Sequence, residues 1–229
     1  MELLNYKIMD SFIQKVILIF MKDLKTEIRE KLNVVYLFIL CPTLSLIMFI
    51  FLGEKSMVEL FFLTCLIVAL VANQRISRQE ISVGGELILI SAPIDLSILC
   101  FSKILFFIFI NVFINIVVFI TLFMLSNNFI LIDFIGFSFL CLLFTIGLSS
   151  ILCTFSLMLE RIKGEGQFMF MLIYPLIVPF LVLSYNSINL LGLLPSEEFF
   201  SSFALQGLAA FDILLLTICP ILFSYSIRR

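Results

Sequence analysis

Asn73 to Lys103, NQRISRQEISVGGELILISAPIDLSILCFSK, separates two long apolar runs, and its reading decides how the chain folds. It holds Arg75, Arg78, Glu80, Glu86 and Asp95, and each such charge at the centre of a bilayer-spanning helix would cost roughly 2.5–3.5 kcal/mol. The segment is therefore read as a loop at a membrane face. It is also patterned: Gly84-Gly85 breaks it, Glu86 to Ala92 reads as one short helix, and Pro93 closes that helix.

Around this interruption the chain is almost wholly apolar. Of 229 residues, 62% are hydrophobic and 13% charged, with 28 Phe and neither Trp nor His, which sets it outside the range of soluble globular domains. The sequence is that of an all-α integral membrane protein. Spans of about 20 residues each allow five to seven helices, and no soluble catalytic domain is expected beside them. Without His the chain lacks the commonest metal ligand. The six cysteines, Cys41, Cys65, Cys100, Cys141, Cys153 and Cys219, are dispersed with no C-x-x-C, so they read as small core residues rather than a zinc or redox site. No cleavable signal peptide is expected, because the first apolar run, Val16 to Met21, is short and flanked by Lys15 and Lys22.

Asp10 to Leu32 reads as an amphipathic interfacial elbow helix. Ser11 with Gln14 fits a capping box. Ile13, Ile17, Phe20, Leu24 and Ile28 share one face, with Lys15, Lys22, Lys25 and Arg29 opposite. Six spans follow, Val34–Leu52, Met57–Ala72, Ile104–Leu125, Phe134–Leu159, Phe168–Tyr185 and Phe203–Ile227, within one permease-like domain covering residues 1–229. Glu160 to Gln167, with Arg161 and Lys163, is a second polar loop, and Asp133 is a candidate cap for the fourth span. Pro175 and Pro179 should bend or break the fifth span, and Pro220 should kink the last. Asn186 to Ser202 reads as a re-entrant or interfacial half-helix.

Three polar residues fall inside the spans. Asn111 and Asn115, four apart, share a face and can bond to a neighbouring helix or touch a substrate. Asp212 is an intramembrane acid, a functional candidate by its position, or a protonated or hydrogen-bonded group facing the bundle. Gly147, Ser149, Ser150 and Thr154 permit close helix approach.

Charge placement sets the orientation. Of 14 Lys and Arg, all but Lys55 lie in the N-terminal segment, the Asn73–Lys103 segment, the second polar loop or the C-terminus. By the positive-inside rule both termini and both polar loops are cytoplasmic. A basic entry helix and two cytoplasmic loops form a surface that a separate motor could grip. The chain has no phosphate-binding G-x-x-x-x-G-K-[ST] loop of its own.

Arg75, Arg78, Glu80, Gly84, Leu87, Pro93 and Lys103, then Tyr174-Pro175-Leu176-Ile177-Val178-Pro179 and a last span with Pro220, resemble the haem exporter protein B family. These are ABC-2 type permease subunits of the cytochrome c maturation ABC transporter. The likeness covers nearly the whole chain in length, span number and motif order, and is most specific from Arg75 to Lys103. One departure is that Gly84-Gly85-Glu86-Leu87 stands where the family commonly has Gly-x-Leu-Glu. The resemblance implies a non-catalytic subunit without a cofactor of its own, driven by ATP in a partner ATP-binding subunit, with haem as cargo. Its further partners would be a haem-handling membrane protein, a haem chaperone, the lipid bilayer and a second permease copy; no nucleic acid is expected. The implied coupling surface comprises Arg75, Arg78, Glu80, Gly84, Gly85, Glu86, Leu87, Pro93 and Lys103, in a bacterial inner membrane or its organellar equivalent.

Other readings stand beside it. The cytoplasmic charges alone also fit a solvated positive-inside flank. An ABC-2 type permease for lipid, glycan or drug, and a non-transporting assembly scaffold, fit the same topology. A membrane-embedded enzyme would need a cluster of polar groups at one depth, and Asp212 with scattered Asn, Ser and Thr does not supply one.

Overall fold

A computed structural model describes residues 2–29, 31–53, 57–82, 95–126, 134–161, 166–191, 193 and 195–227. Every regular element among them is a helix: α1 (Glu2–Arg29), α2 (Lys31–Leu52), α3 (Met57–Ser82), α4 (Leu96–Leu125), α5 (Phe134–Arg161), α6 (Gly166–Leu191), α7 (Ser196–Phe200) and α8 (Phe203–Ile227). Helix is the form in which an apolar segment satisfies its own backbone in hydrocarbon. Among the described residues five segments are long and apolar enough to cross a bilayer: Val35–Leu52, Met57–Ile76, Leu96–Leu125, Phe134–Cys153 and Phe203–Leu222. The apolar stretch Leu176–Leu191 of α6 is shorter. The chain is thus a helical, membrane-embedded protein.

Helices and apolar runs do not end together. α3 continues to Ser82 and α4 starts at Leu96, so Asn73–Ser82 and Leu96–Lys103 are helical where the sequence suggests loop. Nothing between Asn73 and Ser82 breaks a helix, and polar turns can continue one into the headgroup region. α4, with 30 residues, is about 45 Å long, against a hydrocarbon thickness of about 30 Å. α6 is also unbroken from Gly166 to Leu191, through Pro175 and Pro179, and α8 runs through Pro220. Of the two outcomes expected of these prolines, a bend or a break, the helix is not broken, since each proline removes one hydrogen bond while its neighbours hold the turn. α6 also extends six residues past the expected Tyr185, so the outer half-helix reduces to α7, five residues long. Between α2 and α3, Gly53 takes a φ of 71° and donates its N–H to Phe49 O at 2.9 Å, a left-handed helix cap.

α4 and α5 are the hub of the bundle. α4 packs on α1, α2, α3, α5 and α8, while α5 packs on α3, α4, α6, α7 and α8. Lipid tails are as apolar as leucine, so burial alone does not drive helices together there; close packing and polar contacts do. Phenylalanine rings supply much of that packing. Phe61 meets Phe137 at 5.2 Å, Phe62 meets Phe144 at 5.1 Å, and Phe144 stacks on Phe180 at 5.5 Å, linking α3, α5 and α6. Such pairs contribute about 0.5–1.5 kcal/mol each beyond area burial.

α1 lies beside the first half of α4. Phe12 meets Phe101 edge-on at 6.3 Å and Phe20 meets Phe109 at 6.1 Å, so the two helices advance in step and in parallel. The side of α1 turned to the protein is Val16, Ile19 and Asp23, with Val16 and Ile19 against Ile98 and Phe101. Ile13, Ile17 and Ile28, expected on one apolar face with Phe20 and Leu24, are exposed. Of that stripe Phe20 still docks, on Phe109 of α4, while Val16 and Ile19 beside it supply the rest of the contact. α1 begins at Glu2, which puts Ser11 deep inside it and corrects the capping box expected there.

Candidate functional site

Of the coupling surface assigned from the sequence, the structure describes Arg75, Arg78 and Glu80 at the end of α3 and Lys103 near the start of α4. The start of α4 and the middle of α1 meet through the Phe12–Phe101 pair and the Val16, Ile19, Ile98 cluster. The end of α3 and the start of α2 meet through Arg75, whose guanidinium lies 4.0 Å from the centroid of the Tyr36 ring. A cation over an aromatic face is held by the ring quadrupole, worth about 0.5–2 kcal/mol depending on desolvation. Lys15, Lys22, Lys25 and Arg29 of α1 are exposed nearby in sequence, and Lys22 pairs with the buried Asp23 at 3.5 Å.

The individual site residues divide as follows. Arg75 is half-buried; Arg78 and Glu80 lie on the helical end of α3. Gly84, Gly85, Glu86, Leu87 and Pro93 fall outside the described residues, as do Lys163 and Asp133. Arg161 is the last residue of α5. Lys103, only 3% exposed, is engaged within the protein on α4 rather than presented on its surface. Its place in an exposed docking set is corrected by this burial: α4 begins seven residues earlier and turns Lys103 inward. Asn73, unremarked in the sequence, is 1% exposed, and neither polar atom of its side chain has a hydrogen-bond partner among the described residues. Its signal in the sequence is slight, a polar residue directly after an apolar run.

Within the bundle a few polar contacts, at different depths, join neighbouring helices. Asn111 Nδ2 donates to Ser149 Oγ at 2.8 Å, joining α4 to α5. Thr121 Oγ1 donates to Ser45 Oγ at 3.1 Å, joining α4 to α2, and the Cys219 thiol donates to Ser150 O at 3.5 Å, joining α8 to α5. Asp212 of α8 is 3% exposed, and neither carboxylate oxygen has a partner among the described residues. Its seat is made by Gly147 of α5: a Cβ added there would collide with Asp212 Oδ1 and with the Phe180 ring. Glycine is required at that position by the neighbours' approach. Asn115, a turn beyond Asn111, does not share its partner; it lines an open groove between α4 and α5.

The cysteines are free thiols, buried except Cys141, which is partly exposed. Among the described residues no group of three His, Cys, Asp or Glu side chains could hold a metal ion. The described residues make a packed, polar-pinned bundle with Arg75 over Tyr36 at one end. No family model, curated protein or solved structure matches the chain.

Proposed function

We propose that the chain is the membrane permease subunit of an ABC transport complex serving haem export or delivery for cytochrome c maturation, driven by a separate ATP-binding subunit. The observation that carries this reading is the Arg75–Lys103 pattern of charges, Gly84-Gly85 and Pro93, set beside the segregation of all Lys and Arg but Lys55 to one side. In this reading the spans number six, with α6 the fifth, and both termini are cytoplasmic. α1 is an entry helix at the cytoplasmic face with its cations toward headgroups, and its Phe12–Phe20 stretch runs alongside α4 rather than flat in the membrane plane. The convergence of α1 with α4 and of α2 with α3 supports a composite surface on which an ATPase could act, with Arg75 held ready by Tyr36. Hydrolysis belongs to the partner chain; haem is cargo and not a resident group. The membrane is a bacterial inner membrane or its organellar equivalent, and the further partners are a haem-handling membrane protein, its chaperone and a second permease copy.

The absence of His, the usual ligand of haem iron, favours a second reading in which the same machinery moves a lipid, glycan or drug. Deleting the chain separates the two. The first reading requires loss of covalently attached haem from c-type cytochromes, restored by the wild-type chain but not by the Arg75→Glu, Arg78→Glu variant at equal membrane abundance. Intact c-type cytochromes alongside altered envelope lipids or glycans would leave only the second.

A further inference from the structure

We propose that the groove between α4 and α5 is a binding site for an uncharged amphiphile drawn from the bilayer, its apolar body on the phenylalanine rings and its hydroxyl or carbonyl oxygen on the Asn115 amide. The groove holds about 400 Å³, within the range of roughly 300–1,000 Å³ usual for small-molecule sites. Phe61, Phe119 and Phe137 form its floor, with Phe61 and Phe119 both packed against Phe137. Ile116, Phe134 and Leu142, all exposed, form its rim and open it to the surface of the bundle.

Three observations fix the class of occupant. Every lining residue lies within the spans Met57–Ile76, Leu96–Leu125 and Phe134–Cys153, so a ligand reaches the groove through hydrocarbon. Asn115 is ten residues from the end of α4, about 15 Å and half the hydrocarbon thickness, a depth that excludes charged headgroups. None of the lining residues is charged.

A polar feature then separates the groove from ordinary lipid-facing surface. The hydroxyls of Ser138 and Thr145 donate to Phe134 O at 2.9 Å and Leu142 O at 2.8 Å of their own helix. Asn115 makes no hydrogen bond among the described residues. Among the described residues its amide thus lines the groove with two donors and an acceptor unused, a costly state that a neutral oxygen would relieve and an alkyl chain would not. The site is independent of the transport reading, since no coupling residue contributes to it.

The test uses the full chain in lipid nanodiscs and a long-chain fatty alcohol carrying a mid-chain diazirine. Irradiation should place the label on residues 112–119 and 134–145. Unlabelled alcohol should remove it at concentrations at least tenfold below those at which the alkane of equal length acts. Asn115→Leu should reduce labelling at least tenfold while leaving elution and unfolding unchanged, and Cys141→Trp, which fills the groove, should abolish it. Equal competition by alkane and alcohol, or labelling spread evenly over the lipid-facing helices, would overturn the proposal. So would chain-to-chain cross-linking through a photoreactive residue at position 115, which would make the occupant a second copy.

Discussion

At the scale of single residues, Gly147 leaves the space that Asp212 and Phe180 occupy, since an added Cβ would collide with both. A methyl group there must push α8 or the Phe180 ring away, and overpacking of this kind costs about 1–3 kcal/mol. Gly147→Ala should lower stability by that amount in reversible unfolding from mixed micelles. In an Asp212→Ala background the loss should shrink by at least about 0.5 kcal/mol, because residues in contact are coupled. Equal losses in both backgrounds would show that the carboxylate does not fill the space. The sequence discloses that Asp212 is unusual, since an acid inside an apolar run is conspicuous. Its partner is not legible, because no periodicity relates residues 65 positions apart. Asn111 and Asn115 show the same limit. Their common face is readable, yet only Asn111 finds a donor-acceptor partner, and Asn115 meets the groove one turn along.

The lesson at the scale of elements comes from α1. Hydrophobic spacing finds the helix and its amphipathic character, but it cannot tell a stripe facing lipid from one facing protein, since both are apolar. The structure gives docking to Val16 and Ile19 and leaves Ile13, Ile17 and Ile28 outside. Ile19→Asp should therefore release α1 from α4, raising amide exchange across residues 12–29 at least tenfold while α5 and α8 stay protected. Ile17→Asp should leave the α1–α4 contact in place and weaken only membrane attachment; identical exchange in the two variants would refute this assignment of faces. Span ends illustrate a related limit. Apolar runs mark where hydrocarbon begins, whereas α3 and α4 persist through Ser82 and from Leu96 because no glycine or proline interrupts them there. The prolines of α6 do not end that helix, since it tolerates each lost bond.

For the molecule as a whole, composition alone makes the membrane class legible. The arrangement of helices around α4 and α5 is set by ring pairs, one glycine seat and a few polar contacts that composition does not reveal. The central claim is that the basic, aromatic end of this bundle is gripped by an ATP-binding partner. The most direct measurement is to isolate the tagged chain from its native membrane under mild detergent and identify what accompanies it. The account predicts an ATP-binding subunit in near-stoichiometric amount with the wild-type chain, and its loss with the Arg75→Glu, Arg78→Glu variant that still inserts and elutes normally. Recovery of no such subunit, or its undiminished recovery with the charge-reversed chain, would contradict it.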